Sequence, residues 1–88
     1  MKLKRHKQFL KDWKKIRLTD GQFEKFISYA EHFRIDKPLP EESRDHPLLG
    51  EYNDYREFHL GGDMLVIYKI ITEECTFYRI GSHSQLFK

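Results

Sequence analysis

Apolar positions recur with two different periods along the chain. At 100° per residue, Phe9, Trp13 and Ile16 fall on one narrow stripe with Leu10 at its edge, which predicts an amphipathic helix. Phe23, Phe26, Ile27, Ala30 and Phe33 follow the i, i+3, i+4, i+7 spacing of a second helix. Thr19-x-x-Gln22 supplies a capping box at its start, and Lys37-Pro38-Leu39-Pro40 forces an extended segment after it. From Tyr55 the period shortens. Tyr55–Leu60, Asp63–Ile71 and Cys75–Ile80 read as three strands, with Gly61-Gly62 turning between the first two and Thr72–Glu74 between the second and third. Met64–Tyr68 is apolar throughout, as a central strand covered on both faces would be. Lys2–Arg5 could add a short edge strand. The pattern is α+β: two N-terminal helices packed on one face of a small antiparallel sheet.

With 88 residues the chain has the length of a single domain, spanning 1–88, with one modest core. Aromatic residues make up 15% and charged residues 34%, with a mean hydropathy of -0.76, so that core leans on Phe, Tyr and Trp13 under a heavily charged surface. The net charge of +2 is unevenly spread. Residues 1–17 carry eight Lys/Arg against one Asp, while the remainder carries eight against thirteen acidic residues. Lys4, Lys7, Lys11, Lys14 and Lys15 gather opposite the apolar stripe of the first helix, a face suited to a polyanion or an acidic protein. A lone Cys75 excludes an internal disulfide and fits a reducing cytoplasm. The longest apolar run is far too short to span a bilayer, and no membrane association is expected.

The candidate chemistry lies in the second half, in Asp45-His46-Pro47-Leu48-x-Gly50, Tyr55-Arg56-Glu57-x-His59-x-x-x-Asp63 and Arg79-x-Gly81-Ser82-His83-Ser84-x-Leu86-Phe87. RNA can be cut without a metal when its own 2′-hydroxyl attacks the adjacent phosphorus. The protein must then supply a base, a cationic clamp and an acid for the leaving 5′-oxygen. His46, His59, Asp63 and His83 offer the proton-transfer groups, Arg56 and Arg79 the clamp. Taken singly, each has a plainer explanation. Asp63 after two glycines suits a turn aspartate, His46 precedes proline in a loop, His59 could be an ordinary strand residue, and His83 could help cap a final helical turn. Arg56, Glu57 and Arg79 could form structural ion pairs. His6 and His32 are assigned to the surface. A metal site built from His59-x-x-x-Asp63 with His46 and His83 is the chief rival chemistry, ranked below acid–base catalysis because no His-Glu-x-x-His helix or cysteine pair supports it. Cys75 lies in a strand and reads as core. No cofactor is expected.

The same strings, with Asp63-Met64-Leu65-Val66-Ile67-Tyr68 between them, closely resemble the YafQ family of the RelE/ParE superfamily of bacterial type II toxins, over essentially the whole chain. The resemblance implies a RelE-like fold and a cytoplasmic mRNA interferase that enters the ribosomal A site and cleaves the bound message. It also implies an acidic antitoxin as partner, with DNA reached only through that antitoxin. By position, His46, His59, Asp63 and His83 match the family's active-site residues. Arg79 matches a basic residue near the scissile phosphate, and Phe87 an aromatic that helps place the message. His83 is then the expected acid and Asp63 or His59 the base, with His46 assisting. Tyr52, Gly62 and Met64 depart from the commoner family residues without removing a proton-transfer group. The alternatives are an RNase of the same fold that cuts free RNA, and a non-catalytic RNA- or protein-binding member.

Overall fold

The computed structural model describes residues 1–87. Its centre is a five-stranded sheet in the order β1-β5-β4-β3-β2. Strands β3 (Arg56–Gly61), β4 (Met64–Ile71) and β5 (Glu74–Ser82) form the expected antiparallel meander, and β2 (His46–Pro47) pairs antiparallel with the outer edge of β3. β4 lies in the middle, and Leu65, Val66, Ile67 and Tyr68 are all buried, as a strand covered on both faces requires. The sheet is nonetheless mixed rather than purely antiparallel. Lys2–Arg5 does form a strand, β1, which runs parallel to β5 with Leu3 beside Cys75 and Arg5 beside Phe77. Every side chain of β1 is exposed, so its pairing leaves almost no apolar alternation in the sequence.

The β3–β4 connection needs glycine. Gly61 and Gly62 adopt φ of 105° and 58°, and a bulge after His59 brings Gly61 opposite Met64. Gly62 and Asp63 are left as the two turn residues between the strands.

Helix α2 (Asp20–Arg34) carries the expected capping box: Thr19 Oγ1 accepts from the Gln22 amide at 3.1 Å, and Gln22 Oε1 from the Thr19 amide at 3.0 Å. Gln22 also donates to the Gly61 carbonyl at 2.9 Å, joining helix and hairpin. The buried stripe differs from the one expected. Tyr29 and Phe33 are buried with Phe26 and Ala30 beside them, whereas Phe23 and Ile27 remain 47% and 51% exposed. Two overlapping apolar stripes run along this helix, and the one holding the large Tyr29 ring wins the core.

Helix α1 (Lys7–Trp13) is only two turns long, so Ile16 packs against the core from beyond its end. The lysine face is correspondingly not a single helix stripe. Lys4 belongs to β1, 3.5 Å from Glu74, while Lys14 and Lys15 follow the helix. His6 is half-buried rather than a free surface residue. Its Nδ1 accepts from the Gln8 amide at 3.1 Å, capping α1, and its ring meets Tyr78 edge-on at 4.6 Å. Asp12 fastens α1 to β5: Oδ2 accepts from Arg79 Nε at 2.7 Å and from the Ile80 amide at 3.1 Å, and Oδ1 from Arg79 Nη2 at 3.1 Å.

The sheet has a core on each side. Under the helices, Phe58 is fully buried among the rings of Tyr29, Phe33, Tyr68 and Phe77, with centroids 5.6–6.3 Å away. On the opposite face, Leu65, Ile67 and Leu86 make a smaller core flanked by Leu48, Tyr55, Tyr78 and Phe87. Cys75 is fully buried among the helix-side residues, as expected of a core cysteine, and burial assisted by the negative charge of Asp45 pushes its thiol up to about 12.

Truncating Phe58 should expose the dependence on this aromatic cluster: Phe58→Ala is expected to cost about 3–5 kcal/mol in urea unfolding, and a loss below about 1 kcal/mol would contradict it. Because the raised pKa leaves only ~10⁻⁴ of the Cys75 thiol ionised at pH 8, iodoacetamide should label unfolded but not native protein at that pH.

Candidate active site

The pleat of β3 builds one half of the site. Successive side chains leave a strand on opposite faces, so Phe58 and Leu60 enter the helix-side core while Glu57 and His59 point to the other face. Across the β2–β3 pair, His46 stands directly opposite Glu57. Three side chains consequently meet. His59 Nε2 lies 2.9 Å from Glu57 Oε2, and His46 Nε2 lies 3.6 Å from Glu57 Oε1. The two imidazoles lie 5.9 Å apart between centroids, inclined by 24°.

Glu57 is only 5% exposed, and a buried carboxylate needs partners that donate to it or carry opposite charge. The two imidazoles are those partners. His46 Nδ1 is 2.6 Å from the Arg44 carbonyl oxygen, which can only accept; Nδ1 therefore carries a proton, and this bond turns Nε2 toward Glu57. The carbonyl belongs to a residue in the left-handed region, with Arg44 at φ 51° after the turn Glu41–Ser43. The sequence reading treated Glu57 only as a structural ion-pair residue. Its spacing from His59, i to i+2 within a strand, was the signal that the two share a face.

The second half of the site lies at the other end of the hairpin. Helix α3 (His83–Leu86) begins at His83, so His83 opens this turn while Ser82 caps it: Ser82 Oγ accepts from the Gln85 amide at 3.2 Å and the Ser82 amide donates to Gln85 Oε1 at 2.8 Å. The His83 amide donates to the Asp63 carbonyl at 3.2 Å, so backbone joins the β3–β4 turn to the start of α3. The His83 ring lies 4.8 Å from Phe87, and both His83 and Asp63 are exposed. Gly81 allows α3 to pack this closely, because a Cβ there would meet Gln85 Oε1 at 3.0 Å and Leu86 Cδ2 at 3.2 Å. His59, Leu65 and Gly81 are cross-strand neighbours on β3, β4 and β5. The two halves are thus about two strand spacings apart, roughly 10 Å, on the face that carries the smaller core.

The arginines are placed differently from the histidines. Arg56 leaves β3 on the face opposite Glu57, and its Nε lies 3.2 Å from both Asp45 Oδ1 and the Tyr68 hydroxyl. Burial works against its charge, but the Tyr68 and Asp45 hydrogen bonds and the Asp45 carboxylate together raise its pKa. Burial and the same Asp45 contact also push the Tyr68 phenol far upward, so it stays neutral. Arg79 is held by Asp12, which raises its pKa. Neither arginine joins the His46–Glu57–His59 group. Lys7, Lys11, Lys14 and Lys15 are exposed. Phe87 opens a run of aromatic rings that continues through Tyr52 at 6.0 Å to Tyr55 and Tyr78, themselves 4.9 Å apart, with Lys69 Nζ 5.2 Å from the Tyr55 centroid. Tyr55, although it opens one of the candidate strings, and Tyr78 are given no site role by the sequence.

Two imidazoles on one carboxylate can pass protons or hold a cation, while a third imidazole beside an aromatic ring lies across one strand. The described residues include no helix long and apolar enough to cross a membrane. The family model described as the bacterial toxin of type II toxin–antitoxin system, YafQ, matches residues 1–88. The chain is similar to the mRNA interferase toxin YafQ of Escherichia coli BL21, with 34% identity over 76% of this chain and 89% of that protein. Among solved structures it is similar to the E. coli DinJ–YafQ complex (TM-score 0.81, 31% identity, 98% of this chain and 97% of that chain). It is also similar to a metal-bound toxin from Helicobacter pylori (TM-score 0.82, 32% identity, 98% of both chains). With the family model matched from end to end and the same fold found in these neighbours, the chain belongs to the YafQ family of bacterial type II toxins.

Proposed function

We propose that this toxin is a ribosome-dependent endoribonuclease that cleaves mRNA in the A site by metal-independent attack of the RNA 2′-hydroxyl. The observation that carries the reading is the pair of imidazoles on a buried carboxylate, with His83 on the far side of β4. A reacting phosphate between the two halves could have its 2′-hydroxyl deprotonated on one side and its leaving 5′-oxygen protonated on the other. His83, exposed and free to approach RNA, is assigned the acid, and His59 or Asp63 the base. Glu57 supports the imidazole that takes up a proton, since the carboxylate stabilises an imidazolium formed 2.9 Å away. His46 assists from the other carboxylate oxygen. Phe87 and Tyr52 offer faces for base stacking beside His83.

The positive charge needed near the phosphate is assigned to Arg79, held in place by Asp12, with Arg56 contributing from the opposite face at longer range. Lys7, Lys11, Lys14 and Lys15, together with Lys4, form the basic surface proposed to meet ribosomal RNA. The E. coli DinJ–YafQ complex supports a cognate antitoxin for this chain as well, acidic to match its basic N-terminal segment. DNA contact would come only through that antitoxin, and the toxin would act in the cytoplasm, where its ribosomal target resides. The metal of the H. pylori neighbour is read as a ligand rather than the catalyst, because the protein's own groups account for each proton transfer.

The decisive experiment is cleavage of a defined message on programmed ribosomes, with naked mRNA in parallel. Wild type should cut within the A-site codon, and His83→Ala should lose about 10²–10⁴-fold in rate. Equal cutting by His83→Ala would overturn the acid assignment, and efficient cutting of naked mRNA would remove the ribosome requirement. Neutralising Lys7, Lys11, Lys14 and Lys15 to glutamine should flatten the salt dependence of RNA binding by up to ~0.7 in log–log slope per lost phosphate contact. An unchanged slope would show that these lysines do not touch RNA.

A further inference from the structure

The face that carries the histidines continues past them into an aromatic surface. Leu65, Ile67 and Lys69 of β4 share this face, so moving along the strand leads away from His59 and His83 toward Lys69. Tyr55 flanks that row from the β3 side and Tyr78 from β5, and their rings meet at 4.9 Å between centroids, inclined by 37°. Lys69 Nζ lies 5.2 Å from the Tyr55 centroid, and no carboxylate of the described residues pairs with it. Tyr52, 6.0 Å from Tyr55 and 6.4 Å from Tyr78, joins both to Phe87. Tyr55, Tyr78 and Phe87 rest on the smaller core yet stay partly open to solvent.

These features select a ligand. Nucleobases of any identity stack on aromatic faces, and a nearby ammonium serves a backbone phosphate. Burial, then the Tyr78 phenol, the Asp54 carboxylate and the Tyr52 phenol, raise the pKa of Tyr55, so this ring adds no negative charge against a phosphate. An acidic peptide is the poorer match. Glu51 and Asp54 adjoin Tyr52 and Tyr55 in the chain and Glu57 shares the face, so the net positive charge an acidic partner needs lies in the N-terminal segment instead. Lys69 is four residues along β4 from Leu65, the residue level with His59, and these about 13 Å separate it from a phosphate held at His59 and His83.

We propose that Tyr55, Tyr78 and Lys69 form a nucleotide-binding subsite for the single-stranded message outside the scissile dinucleotide, with a base stacked on the rings and its phosphate at Lys69. The subsite rests on the reading above that the message crosses this face beside His83. These three residues touch no reacting atom. They hold the strand, and Tyr52 and Phe87 carry it from the subsite to the cut.

Binding can be measured apart from cleavage. A short single-stranded 2′-O-methyl oligonucleotide lacks the attacking hydroxyl and stays intact, so fluorescence anisotropy reads its affinity for the full chain. Tyr55→Leu and Tyr78→Leu keep apolar bulk over the smaller core; each should weaken binding about 5- to 100-fold, whereas Tyr55→Phe should bind as wild type does. Lys69→Gln should lower the log–log salt slope by up to ~0.7, and Tyr55→Leu should leave it unchanged. On programmed ribosomes, Tyr55→Leu should raise KM with kcat unchanged, as loss of uniform binding does. A 4-thiouridine moved one position at a time along the message should crosslink to Tyr55 or Tyr78 of the wild type from outside the cut dinucleotide. Crosslinks confined to that dinucleotide would overturn the subsite, even where a tyrosine variant fails to fold. Wild-type affinity in the folded Tyr55→Leu and Tyr78→Leu variants would overturn it as well. Weaker capture of the cognate antitoxin by Tyr55→Leu, with oligonucleotide binding intact, would give the face to the protein partner instead. A wild type that binds and crosslinks as stated but does not cut would remove the cleavage reading and leave the subsite standing.

Discussion

The pleat of β3 is the constraint on which both the core and the candidate site depend. Phe58 and Leu60 lie at the bottom of the aromatic core, each stabilising the fold by about 1.5–3 kcal/mol through removal of apolar surface from water. Because side chains alternate, burying those two on one face obliges Glu57 and His59 to share the other. A slip of one residue would drive the Glu57 carboxylate into the rings of Tyr29, Phe33, Tyr68 and Phe77. That cost in desolvation is far larger than anything the site could return. The aromatic core therefore sets the site register. The β2–β3 pairing then has only to bring His46 opposite Glu57, which two residues of strand accomplish.

The other half of the site is secured by different means. Asp12 accepts three hydrogen bonds from Arg79 and Ile80, fixing α1 against the end of β5 just before the chain turns into α3. Gly81 lets α3 lie against that strand end, and Leu86 anchors it in the smaller core. The Asp63 carbonyl and the His83 amide connect this assembly back to the hairpin through backbone alone. Side chains at 63 and 83 are consequently free of structural duty and available to a ligand, whereas Glu57 is both buried and bound.

What the sequence revealed followed how local each feature is. The three meander strands, the Thr19–Gln22 cap and the glycine turn are written within a few consecutive residues, and each was legible. The rotation of α2 was not, because Phe23/Ile27 and Tyr29/Phe33 offer competing stripes and only the opposing sheet decides between them. β1 was faint because all four of its side chains face water, so it is specified by backbone pairing with β5 rather than by pattern. The histidines were legible as chemistry before they were legible as geometry. Pairing His46 with Glu57 depends on β-register across an eight-residue connection, and the turning of Arg56 away from its neighbour depends on Asp45 and Tyr68 waiting on the far face.

Burying a carboxylate beneath two imidazoles has consequences beyond stability. A buried ionic group adds little net free energy to folding, since desolvation offsets most of the attraction. What it does provide is a fixed negative charge at a point where positive charge can develop. A proton arriving on His59 forms an imidazolium beside that charge, which is useful in a transition state.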